Sequence, residues 1–345
     1  MENFGAYLVE KQKFEVRPAP MPKIEDPEDV LVQVEYAGIC AADQDMFKNG
    51  SYGPLVVDFP KIIGHEATGT VVEVGSKVTK IKVGDRVALE PSLPCLKCDQ
   101  CLHGHYADCA NKAFRGAPPT DGYYQKYVTQ PAMWAHKLPD ALSSRDGALV
   151  EPLAIGMQSA VHGGVTLGDT IVIIGLGPIG LCTLDCCKGL GATTMIVIDS
   201  SPARLETAKK MGAICVDFTK CDPVQEVERI TEGRLADVVF ECSGAEAAFV
   251  STVNYVKNSG TVVGVGLNPK ETIQIDYRNM MFKGATLKWT NDYSNIFPMV
   301  VAGLANGLLT TEGIITDEFP VEKIQDAFDF AINNKATAVK TIIKF

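Results

Sequence analysis

Ile171-Val172-Ile173-Ile174-Gly175-Leu176-Gly177-Pro178-Ile179-Gly180 is the stretch that decides how this chain folds. Four consecutive β-branched residues read as a strand buried on both faces. The pattern G-x-G-x-x-G follows that strand directly and opens a helical stretch that runs through Lys188. In this context the first glycine allows a tight turn and the second lets a pyrophosphate approach the backbone. The third lets the helix pack on the strand. Amide groups at the helix start, around Pro178 and Ile179, then face the phosphates.

Working outward, short apolar runs alternate with helical stretches from about Gly168. Strands are expected at Met195–Asp199, Ile214–Asp217, Asp237–Cys242, Thr261–Gly266 and Ala285–Trp289. Helices are expected at Pro202–Met211, near Val224–Thr231, and from Cys242 through Val256. This alternation means an α/β domain with a doubly wound parallel sheet, the Rossmann arrangement. Asp199 ends the second strand, where a carboxylate accepts hydrogen bonds from ribose hydroxyls and repels a 2′-phosphate. NAD is therefore expected as the dinucleotide. Arg204 is the residue type that can serve a 2′-phosphate and is kept as a candidate contact. Ser243 and Val265 complete the candidate cofactor residues.

Upstream, the chain is β-rich. Val30 to Tyr36 alternates, Thr70 to Val74 and Arg86 to Glu90 are β-branched runs, and Gly75 and Gly84-Asp85 supply turns. Downstream of Tyr293 come a helix, a strand at Ile314–Phe319, a helix near Val321–Ile332 and a strand at Ala338–Phe345. The expected division is 1–152 for a β-rich domain with a lobe at 91–112, 153–287 for the dinucleotide domain, and 288–345 for a tail returning to the first domain.

Eleven cysteines in 345 residues fall into a cluster and a scatter. Cys95-x-x-Cys98-x-x-Cys101 followed by Cys109 has zinc-ligand spacing. Four thiolates fill a tetrahedral shell and leave no open position, so this site is expected to be structural. A second set is more scattered: Cys40, then His65-Glu66, then Glu151-Pro152 just before the dinucleotide domain. One thiolate, one imidazole and carboxylates suit a zinc with an open place for water or substrate. On composition alone, a core cysteine and a core histidine are equally good readings.

The formal charge of −10 argues against nucleic acid or an anionic membrane as partner. Hydrophobic residues make up 46% and charged residues 21%, an ordinary globular balance. The first ten residues lack a secretory pattern, and no apolar run is long enough for a membrane span. A soluble, cytoplasmic protein is expected.

Taken together, these motifs resemble the zinc-containing medium-chain alcohol dehydrogenases, and among them the sorbitol (polyol) dehydrogenase branch. The resemblance runs nearly end to end. It rests on Gly38-Ile39-Cys40, Gly64-His65-Glu66, Val83-Gly84-Asp85-Arg86-Val87-Ala88, the four-cysteine lobe, Asp121-Gly122, Gly147 to Leu153, Gly163-Gly164-Val165 and Gly175 to Gly180. It implies a GroES-like catalytic domain closed by the C-terminal tail, beside the Rossmann domain. It also implies catalytic zinc on Cys40, His65 and Glu66, with Glu151 near the metal directly or through its water. With the structural site, two zinc ions per chain are expected. A homodimer or homotetramer acting on a small alcohol or polyol follows from the same likeness. In such an enzyme zinc polarises the alcohol and a hydride passes to NAD.

Two departures from that pattern bear on function. Ala42 stands where family members carry a relay Ser or Thr, and Asp45 stands where a His is common. Glu151, a metal-bound water or Asp45 is expected to take over proton transfer. Leu287-Lys288 replaces an Arg-Tyr pair used to hold a sugar chain. Lys288 raises the alternative of a sugar alcohol phosphate, and a threonine-like hydroxy compound is a further one. The alternative of another class is a non-catalytic dinucleotide-binding protein, conceivable because Ala42 lacks the hydroxyl.

Overall fold

The structure is a computed structural model and describes residues 2–345. The chain forms two compact units. One holds residues 2–151, Phe297–Gly307 and Ile315–Phe345; the other holds Pro152–Ile296 and Leu308–Ile314.

The first unit is built on a seven-stranded sheet. Its order is Ala135–Lys137, Arg86–Leu89, Glu66–Val74, Asp29–Gly38, Lys340–Lys344 and Ile315–Pro320, with Tyr127–Pro131 also on the Asp29–Gly38 strand. Alternation explains the central strand: Val30, Val32 and Val34 are fully buried while Gln33 and Glu35 are not. The core around it gathers Leu8, Phe14, Phe47, Tyr124 and Phe328. Two antiparallel pairings matter for chemistry. Gly38 lies opposite Glu66 on one side and opposite Ile342 on the other. The last strand of the chain is thus inserted beside the segment leading to Cys40.

The second unit carries six parallel strands. Their order is Ile214–Asp217, Thr194–Asp199, Thr170–Ile174, Ala236–Glu241, Val256–Gly264 and Thr286–Trp289. In chain order this is 3-2-1-4-5-6, so the topological switch point falls between Thr170–Ile174 and Ala236–Glu241. Continuous apolar strands are the cause: Ile171, Val172 and Ile173 are fully buried, as both faces of such a sheet require. The helices have sequence-local starts. Gly177 precedes Pro178–Leu190, Ser201 Oγ accepts the Arg204 N–H, and Asp222 Oδ1 accepts the Val224 N–H.

One expected element is corrected. The helix expected to reach Val256 ends at Ser251, a short turn covers Thr252–Asn254, and Val256 already opens the next strand. The polar run Lys257-Asn258-Ser259-Gly260 lies within that strand. The register shifts opposite it, between Ala236 and Val238, and Ser259 takes φ 58°. Among the described residues no helix is long and apolar enough to cross a membrane.

Candidate active site and metal centres

In the first unit, Cys40 stands as the N-cap of the helix Ala41–Asn49, and His65-Glu66 opens the strand Glu66–Val74. One donor atom each from Cys40, His65 and Glu66 lies within 4.8 Å of the others. His65 and Glu66 are buried and Cys40 is partly exposed, so the trio has a wet side. A thiolate, an imidazole and a carboxylate this close suit a zinc ion with an open position.

Two residues that sequence reasoning missed hold this trio. Asp43 is fully buried; its Oδ2 accepts the Cys40 N–H at 3.0 Å, and Tyr124 Oη lies 3.0 Å away. Its Oδ1 lies 3.4 Å from His65 Nδ1, near in charge though outside hydrogen-bond geometry. Burial alone would push the His65 pKa down, but the Asp43 carboxylate and Cys40 outweigh it and hold the pKa well above its ordinary value. Lys340 is the second. Its Nζ lies 2.6 and 2.7 Å from the two Glu66 oxygens and 3.2 Å from Ile39 O, so all three donors are used. Gly38 makes room for this pair: a Cβ there would stand 2.0 Å from Glu66 Oε2. Asp43 had a local signal, an acid three residues after a helix N-cap. Lys340 had none.

Around the trio, the ring of Phe114 is 5.6 Å from that of His65. Tyr52 is half-buried, and its phenol pKa is raised, first by burial and then by Cys40, with Asp45 and Glu151 adding to it and His65 opposing. Glu151 is buried at the start of the helix Val150–Gly163. It is not in the 4.8 Å cluster. Asp45 is 44% exposed and sits 3.6 Å from Lys48.

The four-cysteine lobe is a second closed cluster, with one sulfur of each of Cys95, Cys98, Cys101 and Cys109 within 4.8 Å of the others. Cys98 Sγ and Cys101 Sγ are 3.4 Å apart. The Lys97 N–H draws the Cys95 thiol down to about 6. Burial and the neighbouring thiols push Cys101 up to about 12. Thiols this crowded cannot all ionise without a cation among them, which is the condition a structural zinc satisfies.

In the second unit, Gly175 has φ 89° and a Cβ on Gly180 would lie 2.0 Å from Gly175 O, so the turn itself demands both. Gly177 is different: a Cβ there would meet nothing within 4 Å. The space over it is left for something other than the chain, which fits a pyrophosphate at the start of Pro178–Leu190. Asp199 Oδ2 accepts the Leu176 N–H at 2.7 Å, and Oδ1 accepts the N–H groups of Ser200 and Ser201. Asp199 thus ties the glycine turn to the end of its own strand. Arg204 lies in the first turn of the next helix, Pro202–Lys210. Ser243 follows the strand Ala236–Glu241, and Val265 follows Val256–Gly264. Lys288 is engaged within this unit, its Nζ donating to His162 O at 2.8 Å.

Residues 26–140 match the alcohol dehydrogenase GroES-like domain, and residues 178–306 match the zinc-binding dehydrogenase domain. The chain is 35% identical to sorbitol dehydrogenase of Bacillus subtilis over 340 residues, 98% of this chain and 96% of that one. This chain belongs to the zinc-binding alcohol dehydrogenase family, in the sorbitol dehydrogenase-like branch. It is 36% identical to L-arabinitol 4-dehydrogenase of Aureobasidium melanogenum over 92% of this chain and 88% of that one. An Escherichia coli oxidoreductase/dehydrogenase of unknown specificity superposes with a TM-score of 0.95 at 34% identity, covering 100% of this chain and 99% of the other. As a member of this branch the protein is a zinc-dependent alcohol or polyol dehydrogenase with zinc and NAD as cofactors. The phosphorylated, threonine-like and non-catalytic alternatives are not favoured.

Proposed function

We propose that this dehydrogenase oxidises an unphosphorylated polyol or related secondary alcohol to the ketone, with catalytic zinc on Cys40, His65 and Glu66. The observation that carries this reading is the convergence of those three donor atoms within 4.8 Å, from chain segments separated in sequence. The two cofactors supply, when bound, a Lewis acid for the alcohol oxygen and an acceptor for the carbinol hydride. Asp43 sets a negative charge beside the His65 ring and Lys340 offsets the buried charge of Glu66. Each Glu66 oxygen has a second lone pair, so engagement by Lys340 leaves capacity for a metal.

The cofactor reading assigns the pyrophosphate to Gly175, Gly177, Pro178, Ile179 and Gly180, the adenosine ribose to Asp199 with Arg204 beside it, and the nicotinamide half to Ser243 and Val265. The open space over Gly177 supports it. Glu151 and Asp45 are the proposed outlets for the alcohol proton in place of a hydroxyl at Ala42. Both belong to the charges felt by Tyr52. Lys288, the residue that raised the phosphate alternative, donates to His162 O. The remaining cysteine lobe is proposed to hold the second zinc.

The protein is further proposed to be a cytoplasmic homo-oligomer. Eleven free thiols suit a reducing compartment. The strand Thr286–Trp289 is an edge of its sheet, with Trp289 56% and nearby Phe282 74% exposed.

NAD reduction over a panel of polyols, sugar alcohol phosphates and hydroxy amino acids, with and without chelator, tests the reading. Polyol-dependent, chelator-sensitive turnover and about two zinc ions per chain are expected. Turnover that survives removal of all metal would sink it.

A further inference from the structure

Glu241 is a buried carboxylate at the switch point of the dinucleotide sheet that nothing above puts to use. It ends the strand Ala236–Glu241 and is 1% exposed. Its Oε1 accepts the N–H of Ser243 at 2.8 Å and of Gly244 at 3.1 Å, and the Ser243 hydroxyl also donates to it. Among the described residues Oε2 accepts only the Gly244 N–H, at 3.2 Å. Its backbone carbonyl accepts from Val265 at 2.9 Å and from Gly266 at 2.8 Å. One residue therefore ties the loop after the fourth strand to the loop after the fifth. The first of these loops also packs on the glycine turn, since a Cβ on Gly175 would meet Ser243 Cβ at 2.7 Å.

Every partner of this carboxylate is a neutral donor, and the ion pairs among the described residues give it no Lys or Arg. Burial raises the pKa of this carboxyl while the Ser243 and Gly244 donors favour its ionised form; once ionised and without a counter-ion it is weakly screened, so its field acts on whatever binds nearby. The second mononucleotide half of such a sheet, strands four to six, is the half that takes the nucleotide not held by the glycine turn. Under the cofactor reading above, that nucleotide carries the nicotinamide ring. The ring is a pyridinium cation in NAD⁺ and neutral in NADH.

We propose that Glu241 sets the protein's discrimination between the two oxidation states of its cofactor, its unpaired negative charge favouring the bound pyridinium over the reduced ring. The inference rests on the cofactor reading of this sheet. It assigns Glu241 a positioning and electrostatic role with no covalent step.

Dissociation constants for NAD⁺ and for NADH, measured by calorimetry on the zinc-loaded protein without alcohol, test it. Glu241→Gln keeps the size of the side chain and removes the charge. It is expected to weaken NAD⁺ relative to NADH by roughly tenfold, the size of a unit-charge interaction across about 12 Å at an effective dielectric of about 20. A ratio in Glu241→Gln within about twofold of the parent overturns the proposal. Should Glu241→Gln not fold, Glu241→Asp decides: it keeps the charge and displaces the loops, so a retained ratio supports the proposal and a lost one overturns it. A parent protein that binds neither dinucleotide would refute the cofactor reading itself.

Discussion

Lys340 and Glu66 form a buried ion pair whose partners are 274 residues apart in the chain, with Nζ 2.6 and 2.7 Å from the two carboxylate oxygens. The pair exists because Gly38 is sandwiched between the Glu66 strand and the last strand of the chain. Removing one partner of a buried pair leaves the other charge uncompensated. Lys340→Met is therefore expected to cost about 3–5 kcal/mol of stability in chelator-treated protein. Added zinc, bound by the freed carboxylate, is expected to restore part of the loss. Thermal unfolding with and without zinc checks both statements; no recovery on adding zinc would argue against Glu66 as a ligand.

Asp43 acts on the trio through His65 and the Cys40 amide. Asp43→Asn keeps the shape but removes the charge facing His65 Nδ1. Loss of a carboxylate behind a histidine ligand commonly lowers metal affinity by about 10- to 100-fold. Competition with a chromogenic chelator measures this. The four-cysteine lobe should keep its ion in the same titration.

The lobe has its own signature. Cys101→Ser should lower the zinc content from about two ions per chain to about one. It should also make the segment around Cys95 to Cys109 sensitive to protease, because folding of such a lobe is coupled to its metal. Metal analysis and limited proteolysis on one sample separate this from global unfolding.

Asp185 gives a pH dependence with a definite sign. It is 2% exposed in the helix Pro178–Leu190, and its Oδ2 accepts the Thr310 N–H at 2.7 Å. Burial raises its pKa from 3.8 to about 6, with Thr310 and Lys188 pulling the other way. A raised carboxyl binds its proton more readily in the folded state. Its contribution is therefore fully present below its unfolded pKa and is lost as pH rises through about 6. Asp185→Asn should raise stability at neutral pH by about 3 kcal/mol, and the difference should fade below about pH 4. Denaturant unfolding of both proteins across pH reads this directly; a gain that persists unchanged in acid would rule out Asp185 as its source.

Much of this protein was legible in the sequence because its signals are local. The glycine turn follows its strand directly, the four thiols span fifteen positions from Cys95 to Cys109, and apolar runs mark the parallel strands. Such patterns need only neighbouring residues to define a conformation or a ligand shell. The second metal set was different. Cys40 and His65-Glu66 read from composition as well for core residues as for ligands, and their resemblance to a known family separated the readings.

Only the tertiary structure decided what surrounds them. Tyr124 reaches Asp43 across 81 positions and Lys340 reaches Glu66 across 274, and no periodicity or spacing carries such information. It also divided the tail, grouping Leu308–Ile314 with the dinucleotide unit and Ile315–Phe345 with the first. It placed the polar run after Val256 within an irregular strand. The physical reason is the same in each case. A backbone turn or a thiolate shell is settled by short-range sterics and spacing, whereas the partner of a buried charge is chosen by which strands pair, and pairing is a property of the whole chain.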